Sequence, residues 1–135
     1  MRLYTSDEKR SVDVGTGSIW YSIYSTANII FSEDAKEKVS SAMEFLKNGD
    51  CLAEDIPLIA EQLTKLQAYF SLINPELAVY DLHHPETAPP WKGNIVPTVT
   101  SCANLYTTAD GKDLFTEVIA LLQYAAENNV NVMAG

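Results

Sequence analysis

The stretch from Leu77 to Phe115 decides how this chain is organised. It begins with Val79-Tyr80-Asp81-Leu82, whose apolar alternation predicts a strand over residues 76–82. It continues through Pro89-Pro90-Trp91-Lys92-Gly93-Asn94-Ile95, and the prolines of residues 83–98 exclude a helix or a central strand and predict a long, stiff loop. Residues 99–108 are predicted to be extended. Asp110-Gly111-Lys112-Asp113-Leu114-Phe115 then predicts a turn that begins the last helix, with Asp110 as its N-cap.

The rest of the chain predicts the α+β class. Alternating apolar and aromatic residues favour a hairpin of residues 11–14 and 18–25 around Gly15-Thr16-Gly17, preceded by a loosely ordered segment at residues 1–10. Helical periodicity predicts helices at residues 33–48, 56–73 and 111–128, and a last short strand follows at residues 130–133. Ser32 and Gly49 suit the two ends of the first of these helices. We therefore expect one small domain, residues 1–135, with an antiparallel or mixed sheet packed by about three helices.

The charge balance excludes some classes of partner. Eighteen acidic residues face nine basic ones, which gives a formal net charge of −9. Nucleic acids and anionic membranes attract Lys and Arg, so both are disfavoured as partners, whereas a basic protein is favoured. Residues 32–88 hold eleven of the acidic residues and only four basic ones, so most of the negative field arises there. The plain alternative is the ordinary acidity of a soluble domain.

The cysteines and histidines give no sign of a cofactor. Cys51 and Cys102 form no spaced motif, and the chain begins with polar and charged residues rather than a secretory signal. We expect a cytosolic protein with two free thiols, a single disulfide being the less favoured alternative. His83 and His84 are adjacent in an extended loop, where neighbouring side chains point in opposite directions, so we expect no metal and no cofactor.

The candidates for contact with a partner are acidic residues and one tryptophan. Glu33, Glu37 and Glu44 share one face of the predicted helix at residues 33–48, which is either a solvated face or a docking surface. Asp50 and Glu54 follow in the next turn, where capping of the following helix accounts for Asp55. Trp91 either anchors a partner or locks its loop onto the core, and the second role is favoured. The full candidate set is Glu33, Glu37, Glu44, Asp50, Glu54, Asp81, Glu86 and Trp91.

Several of these segments resemble the immunity protein 70 family, small antidote proteins of bacterial polymorphic toxin systems. The resemblance lies in Val79-Tyr80-Asp81-Leu82, in the Pro89–Ile95 loop and in the run from Leu105 to Phe115. Gly17-Ser18-Ile19-Trp20-Tyr21 is similar to the N-terminal strand of that family. The Pro89-Pro90-Trp91 loop followed by Asp110-Gly111-Lys112-Asp113-Leu114-Phe115 is a more specific signal than either motif alone.

The resemblance implies a protein without catalytic residues that binds a cognate toxin domain and blocks its active site. The acidic residues of segment 32–88 would aid the approach of a basic toxin. Two alternatives stay open. One is a small enzyme that uses a carboxylate or histidine of residues 81–95, and the other is a generic protein-interaction domain.

Overall fold

The structure is a computed structural model of residues 1–135, and it combines a three-stranded antiparallel sheet with five helices. The strands are β1 (Arg2–Thr5), β2 (Ser11–Asp13) and β3 (Val132–Ala134), in the order β2-β1-β3. The helices are α1 (Gly17–Ile30), α2 (Glu33–Lys38), α3 (Ser40–Asn48), α4 (Ile56–Phe70) and α5 (Leu114–Asn128). The predicted α+β class with an antiparallel sheet is confirmed.

The sheet is built from the two ends of the chain. Residues 1–10, expected to be loosely ordered, contain the central strand β1, in which Leu3 is fully buried and pairs with Val12 on one side and Ala134 on the other. The hairpin therefore joins β1 to β2 rather than residues 11–14 to 18–25. Cys51 covers the outer edge of β3, because its backbone exchanges hydrogen bonds of 2.9 and 3.0 Å with Val132.

The strand predicted at residues 18–25 is wrong, because this segment forms helix α1. Gly15-Thr16-Gly17 is not a hairpin turn: the Thr16 hydroxyl accepts a hydrogen bond of 3.2 Å from the backbone N–H of Ile19 and caps the helix. Trp20, Ile23 and Ala27 are buried at helical spacing. In a strand, the large side chains of this segment would alternate between two faces. In the helix they point in several directions around the axis.

The helix predicted at residues 33–48 is broken into α2 and α3 at Val39. Val39 is fully buried and has a non-helical backbone, with φ −124° and ψ 25°. The side-chain oxygen of Gln62 on α4 accepts hydrogen bonds from the N–H groups of Ser41 (2.8 Å) and Ala42 (3.0 Å). Gln62 thus satisfies backbone donors that the break leaves free at the start of α3.

Most helix ends follow their sequence signals. Ser32 caps α2, and Gly49 follows α3 in the left-handed conformation, with φ 80°. The last helix begins later than predicted, because Asp113 rather than Asp110 accepts the hydrogen bond from Thr116 N–H, at 3.0 Å.

The core lies mainly between α4 and α5. These two helices make the most extensive contact in the molecule, and their predicted apolar stripes are buried throughout. Phe70 of α4 meets Phe115 of α5 edge to face, with ring centroids 5.5 Å apart. Trp20 of α1 packs on Phe45 of α3 in the same way, at 5.4 Å, so one continuous core joins four helices.

Residues 78–113 form one long loop, so the strands predicted at residues 76–82 and 99–108 are wrong. Residues Pro75–Leu77 form a 3₁₀ turn, and no neighbouring strand pairs with the loop. Its backbone is held by side chains of α1 instead. The Ser22 hydroxyl donates to the Val79 carbonyl (2.7 Å), and the Val79 N–H donates to the Thr26 hydroxyl (2.9 Å). The Tyr106 hydroxyl closes this buried cluster, 2.9 and 3.1 Å from the same two side chains.

Candidate functional site

The structure places the predicted contact residues on three separate surfaces. Glu44 and Asp50 line a groove, and Glu54 lies in the 3₁₀ turn beside it. Glu33 and Glu37 lie on α2, which the break at Val39 separates from α3. The single acidic helix face expected from the sequence is therefore not formed. The remaining candidates lie in the long loop: Asp81, Glu86 and Trp91.

The groove lies between α3, the start of α4 and strand β3, and its volume is about 640 Å³. Three exposed carboxylates line it, those of Glu44, Asp50 and Asp55. Apolar residues complete its lining: Phe45, Cys51, Leu52, Ile59, Val132 and Met133. We call this surface the acidic groove. It combines negative charge with apolar area, which suits a protein partner better than a small anion.

Backbone hydrogen bonds make the base of the acidic groove rigid. Asp50 accepts a hydrogen bond of 2.9 Å from Ala134 N–H, and Asn131 accepts one of 2.8 Å from Ala53 N–H. Asp55 was expected to cap α4, but its side chain makes no capping hydrogen bond. Its carboxylate is therefore left to the groove. A surface fixed in this way loses little conformational entropy when a partner binds.

The acidic groove has no basic residue in its lining. Glu44 pairs with Lys47 at 3.1 Å just outside it, but both side chains are exposed, and such pairs contribute little to stability. Leu52 remains 56% exposed at the groove. Burial raises the pKa of Cys51 to about 12, so this thiol stays protonated near neutral pH and is a poor nucleophile.

A second cavity, of about 580 Å³, lies within the long loop. Tyr80 and Trp91 are among its lining residues, and its charged lining residues are Glu76, Glu86 and Lys92. Trp91 is half-buried and packs edge to face on Tyr106 (5.6 Å) and on Tyr80 (6.1 Å). The Trp91 ring thus attaches the loop to the core. We call this cavity the loop pocket.

The two histidines lie at the outer side of the same loop. His83 Nε2 is 3.2 Å from the Tyr21 hydroxyl, and the His83 backbone N–H donates to Asp81 at 2.9 Å. His84 lies 3.9 Å from Glu86, with both side chains exposed. No three His, Cys, Asp or Glu side chains converge as metal ligands. Cys51 and Cys102 are both free, and Cys102 is fully buried.

The sequence model of the family described as Immunity protein 70 matches residues 4–134 of the chain. The chain belongs to the Immunity protein 70 family. The resemblance seen in the segments between residues 79 and 115 is thereby confirmed. No curated protein and no solved structure gave a significant match.

This Immunity protein 70 member also presents two aromatic side chains that sequence analysis did not single out. Tyr21 and Tyr24 are half-buried on the outer face of α1, and their ring centroids lie 5.5 Å apart. Their spacing of three residues would have placed them together only if residues 17–30 had been recognised as a helix. None of the helices in the structure is both long enough and apolar enough to span a bilayer.

Proposed function

We propose that this Immunity protein 70 member neutralises a cognate toxin domain in the bacterial cytosol by binding it and covering its active site. The acidic groove is the observation that carries the proposal. Family membership supports a binding role, and the groove supplies a surface on which a basic toxin domain would dock. No bond is made or broken by the chain itself in this mechanism.

The charge of the groove favours rapid capture of a basic partner. Three carboxylates line the groove, only Glu44 of them paired with a lysine, and they extend the negative field of a chain whose net charge is −9. A field of this kind raises the rate of encounter with an oppositely charged surface by roughly tenfold or more. Speed matters for an antidote, since a free toxin acts until it is bound.

The apolar part of the groove supplies affinity once the partners have met. Leu52 is exposed, and the half-buried Cys51 and Met133 extend the apolar area beside the carboxylates. Burial of such area contributes roughly 25 cal/mol per Å². The groove therefore combines apolar area with charged groups, both of which contribute to specific protein interfaces.

The test is co-expression with a candidate toxin domain, which we expect to be the C-terminal domain of a secreted protein whose gene neighbours that of this chain; we call it the toxin domain. The groove variant carries Glu44→Gln, Asp50→Asn and Asp55→Asn, which remove three charges and keep an oxygen acceptor for Ala134 N–H. The matched control, the α2 variant, carries Glu33→Gln, Asp34→Asn and Glu37→Gln. It removes the same charge from another surface of the same chain.

We expect the wild type and the α2 variant to protect cells, and the groove variant to protect them poorly. Equal protection by both variants would remove the groove from the proposal. Loss of protection with the α2 variant alone would move the interface to α2. A purified wild type that does not bind the toxin domain would contradict the proposed function itself.

Stoichiometry separates binding from an enzymatic alternative. A binder inhibits the toxin domain only up to one molecule of toxin for each molecule of this chain. An enzyme acting through residues 81–95 would inactivate many toxin molecules in turn. Titration of toxin activity against the purified chain should therefore give a break at equimolar concentration.

A further inference from the structure

A line of contacts on the surface connects the acidic groove to His83 of the long loop. Glu44 of the groove pairs with Lys47, whose ammonium lies 5.6 Å from the centre of the Tyr24 ring. Tyr24 contacts Tyr21, and Tyr21 stacks on His83 with an angle of 13° between the ring planes and 6.3 Å between centroids. We call Tyr21 and Tyr24, together with Lys47, the tyrosine strip.

The two rings of the tyrosine strip are half-buried and are held by contacts on the surface of α1. Trp20, Ile23 and Ala27 direct one side of α1 into the core, so Tyr21 and Tyr24 are left on the outer side, half-exposed. The stacking on His83 and the Tyr21–Tyr24 contact hold the two rings in place. Tyrosine in such a setting provides a large contact area at a low cost in conformational entropy, and it is enriched in protein interfaces.

The strip already holds a cation in the free chain. The Lys47 ammonium lies between the Glu44 carboxylate and the face of the Tyr24 ring. The hydrogen bond to Glu44 raises the pKa of Lys47, and Tyr24 adds to this rise. At the other end of the strip, burial raises the pKa of Tyr21, and Tyr24 and Asp81 add to this rise. Tyr21 and Asp81 also line one small surface pocket.

We propose that the tyrosine strip recognises an arginine side chain of the toxin domain, which displaces Lys47 from the Tyr24 ring and from Glu44. This inference rests on the proposed function and names the chemistry of its partner. A guanidinium stacks on tyrosine faces and forms two parallel hydrogen bonds to a carboxylate, whereas an ammonium is a compact and strongly hydrated charge. Lys47 is a weak occupant because its side chain is 46% exposed and its ion pair is screened.

The inference predicts that removal of Lys47 strengthens binding. Lys47→Gln removes the internal competitor. Its affinity for the toxin domain, measured by calorimetry, should therefore be roughly threefold higher than that of the control variant. The control is Lys38→Gln, which changes the net charge equally and also breaks a helical ion pair, that of Lys38 with Asp34 at 3.2 Å, away from the strip. The difference between the two variants reports the release of both Glu44 and the Tyr24 ring from Lys47, and the Tyr24 variants separate the contribution of the ring.

The ring itself supplies the second measurement. Tyr24→Ala should weaken binding roughly 30-fold, as expected for a residue at the centre of an interface, while Tyr24→Phe retains the aromatic face and most of the affinity. Tyr4→Ala, at a half-buried tyrosine on strand β1, is the matched control and should change affinity little. Thermal unfolding of each variant shows that it is folded, and the Lys47 comparison does not depend on removing any ring.

The outcomes separate this inference from the proposed function. If the wild type binds the toxin domain but Lys47→Gln equals Lys38→Gln, and Tyr24→Ala equals Tyr4→Ala, the inference is overturned and the binding role stands. If Lys47→Gln weakens binding, then Lys47 itself contacts the toxin domain and the displacement is wrong. If the wild type does not bind, the proposed function fails first.

Discussion

Replacing Thr26 with valine tests how the long loop is attached to helix α1. The Thr26 hydroxyl accepts a hydrogen bond of 2.9 Å from Val79 N–H and lies 3.1 Å from the Tyr106 hydroxyl. Thr26 is fully buried. Valine has nearly the same shape, so the change removes the hydroxyl and leaves the packing in place. The Val79 N–H then loses its acceptor, and the Val79 carbonyl loses the hydrogen bond of 3.2 Å from the same hydroxyl.

The expected loss follows from that single buried donor. An unsatisfied buried donor costs about 1–3 kcal/mol, so we expect a loss of about 2 kcal/mol in the free energy of unfolding. The entropy of unfolding is about 2.1 cal/mol/K per residue, or about 0.28 kcal/mol/K for this chain, so Tm should fall by about 7 °C. The Val79 carbonyl keeps its hydrogen bond from Ser22, at 2.7 Å, which limits the loss to this range.

Thermal unfolding followed by circular dichroism measures the shift, and Thr64→Val is the matched control. Thr64 is exposed on α4, and its hydroxyl bonds only to the Ala60 carbonyl of its own helix, at 2.9 Å. The control should change stability by less than about 0.5 kcal/mol. Hydrogen exchange should also show faster exchange at Val79 in the Thr26 variant. Equal Tm values for the two variants would refute the attachment of the loop through Thr26.

The remaining predictions concern backbone strain and alkaline pH. Gly49→Ala should destabilise by about 2–4 kcal/mol and Gly111→Ala by only about 1–2 kcal/mol, as measured by urea unfolding. Both glycines have a positive φ, but a Cβ at Gly49 would lie 2.8–3.0 Å from side chains of the sheet, whereas nothing lies near one at Gly111. A similar cost at both positions would contradict the close packing at Gly49. Stability should also fall as pH rises from about 9 to about 12, because burial raises the pKa of Cys51 to about 12, of Cys102 to about 11 and of Tyr106 to about 12. At these pH values the folded state keeps protons that the unfolded state releases. Each group therefore lowers the free energy of unfolding by up to about 1.4 kcal/mol per pH unit. Tyr106→Phe removes one such group and should flatten the decline above pH 10. Stability that stays constant over this range would show that these groups are not shielded from water.

The helices that pack on the core could be predicted because their signals are local. The apolar stripes of α4 and α5 have helical spacing, and both stripes are buried. Ser32 marks the start of α2 because its side chain accepts a hydrogen bond from the helix backbone. Gly49 marks the end of α3 because its own backbone is left-handed. Such signals need only residues within one or two turns, so a single sequence contains them.

The errors arose where distant residues decide the structure. Residues 18–25 are rich in β-branched and aromatic residues, which outweighed the local N-cap signal of Thr16 in the prediction. In the structure, Ser22 and Thr26 of this helix also bind the loop at Val79, more than fifty residues away. The break at Val39 depends in the same way on Gln62. Hydrophobic periodicity and residue propensity depend on neighbouring residues only, so they do not indicate these distant partners.

The acidic groove could be predicted only in part. Glu44 was singled out on a helix face and Asp50 at the turn that follows, and both line one surface. Asp55 was assigned to capping, and only the observed geometry shows that its side chain is left to the groove. The contribution of Met133 was not foreseeable, because β3 reaches the groove through pairing with Cys51.

The most direct test of the account is the rate at which the toxin domain associates with this chain as ionic strength rises. Between about 0.01 M and about 0.15 M salt the Debye length falls from about 30 Å to about 8 Å. The account predicts an association rate that falls by roughly tenfold or more for the wild type and the α2 variant, much less for the groove variant, with dissociation nearly unchanged. A wild-type association rate that does not respond to salt, or one that responds equally in the groove variant, would contradict capture through the acidic groove.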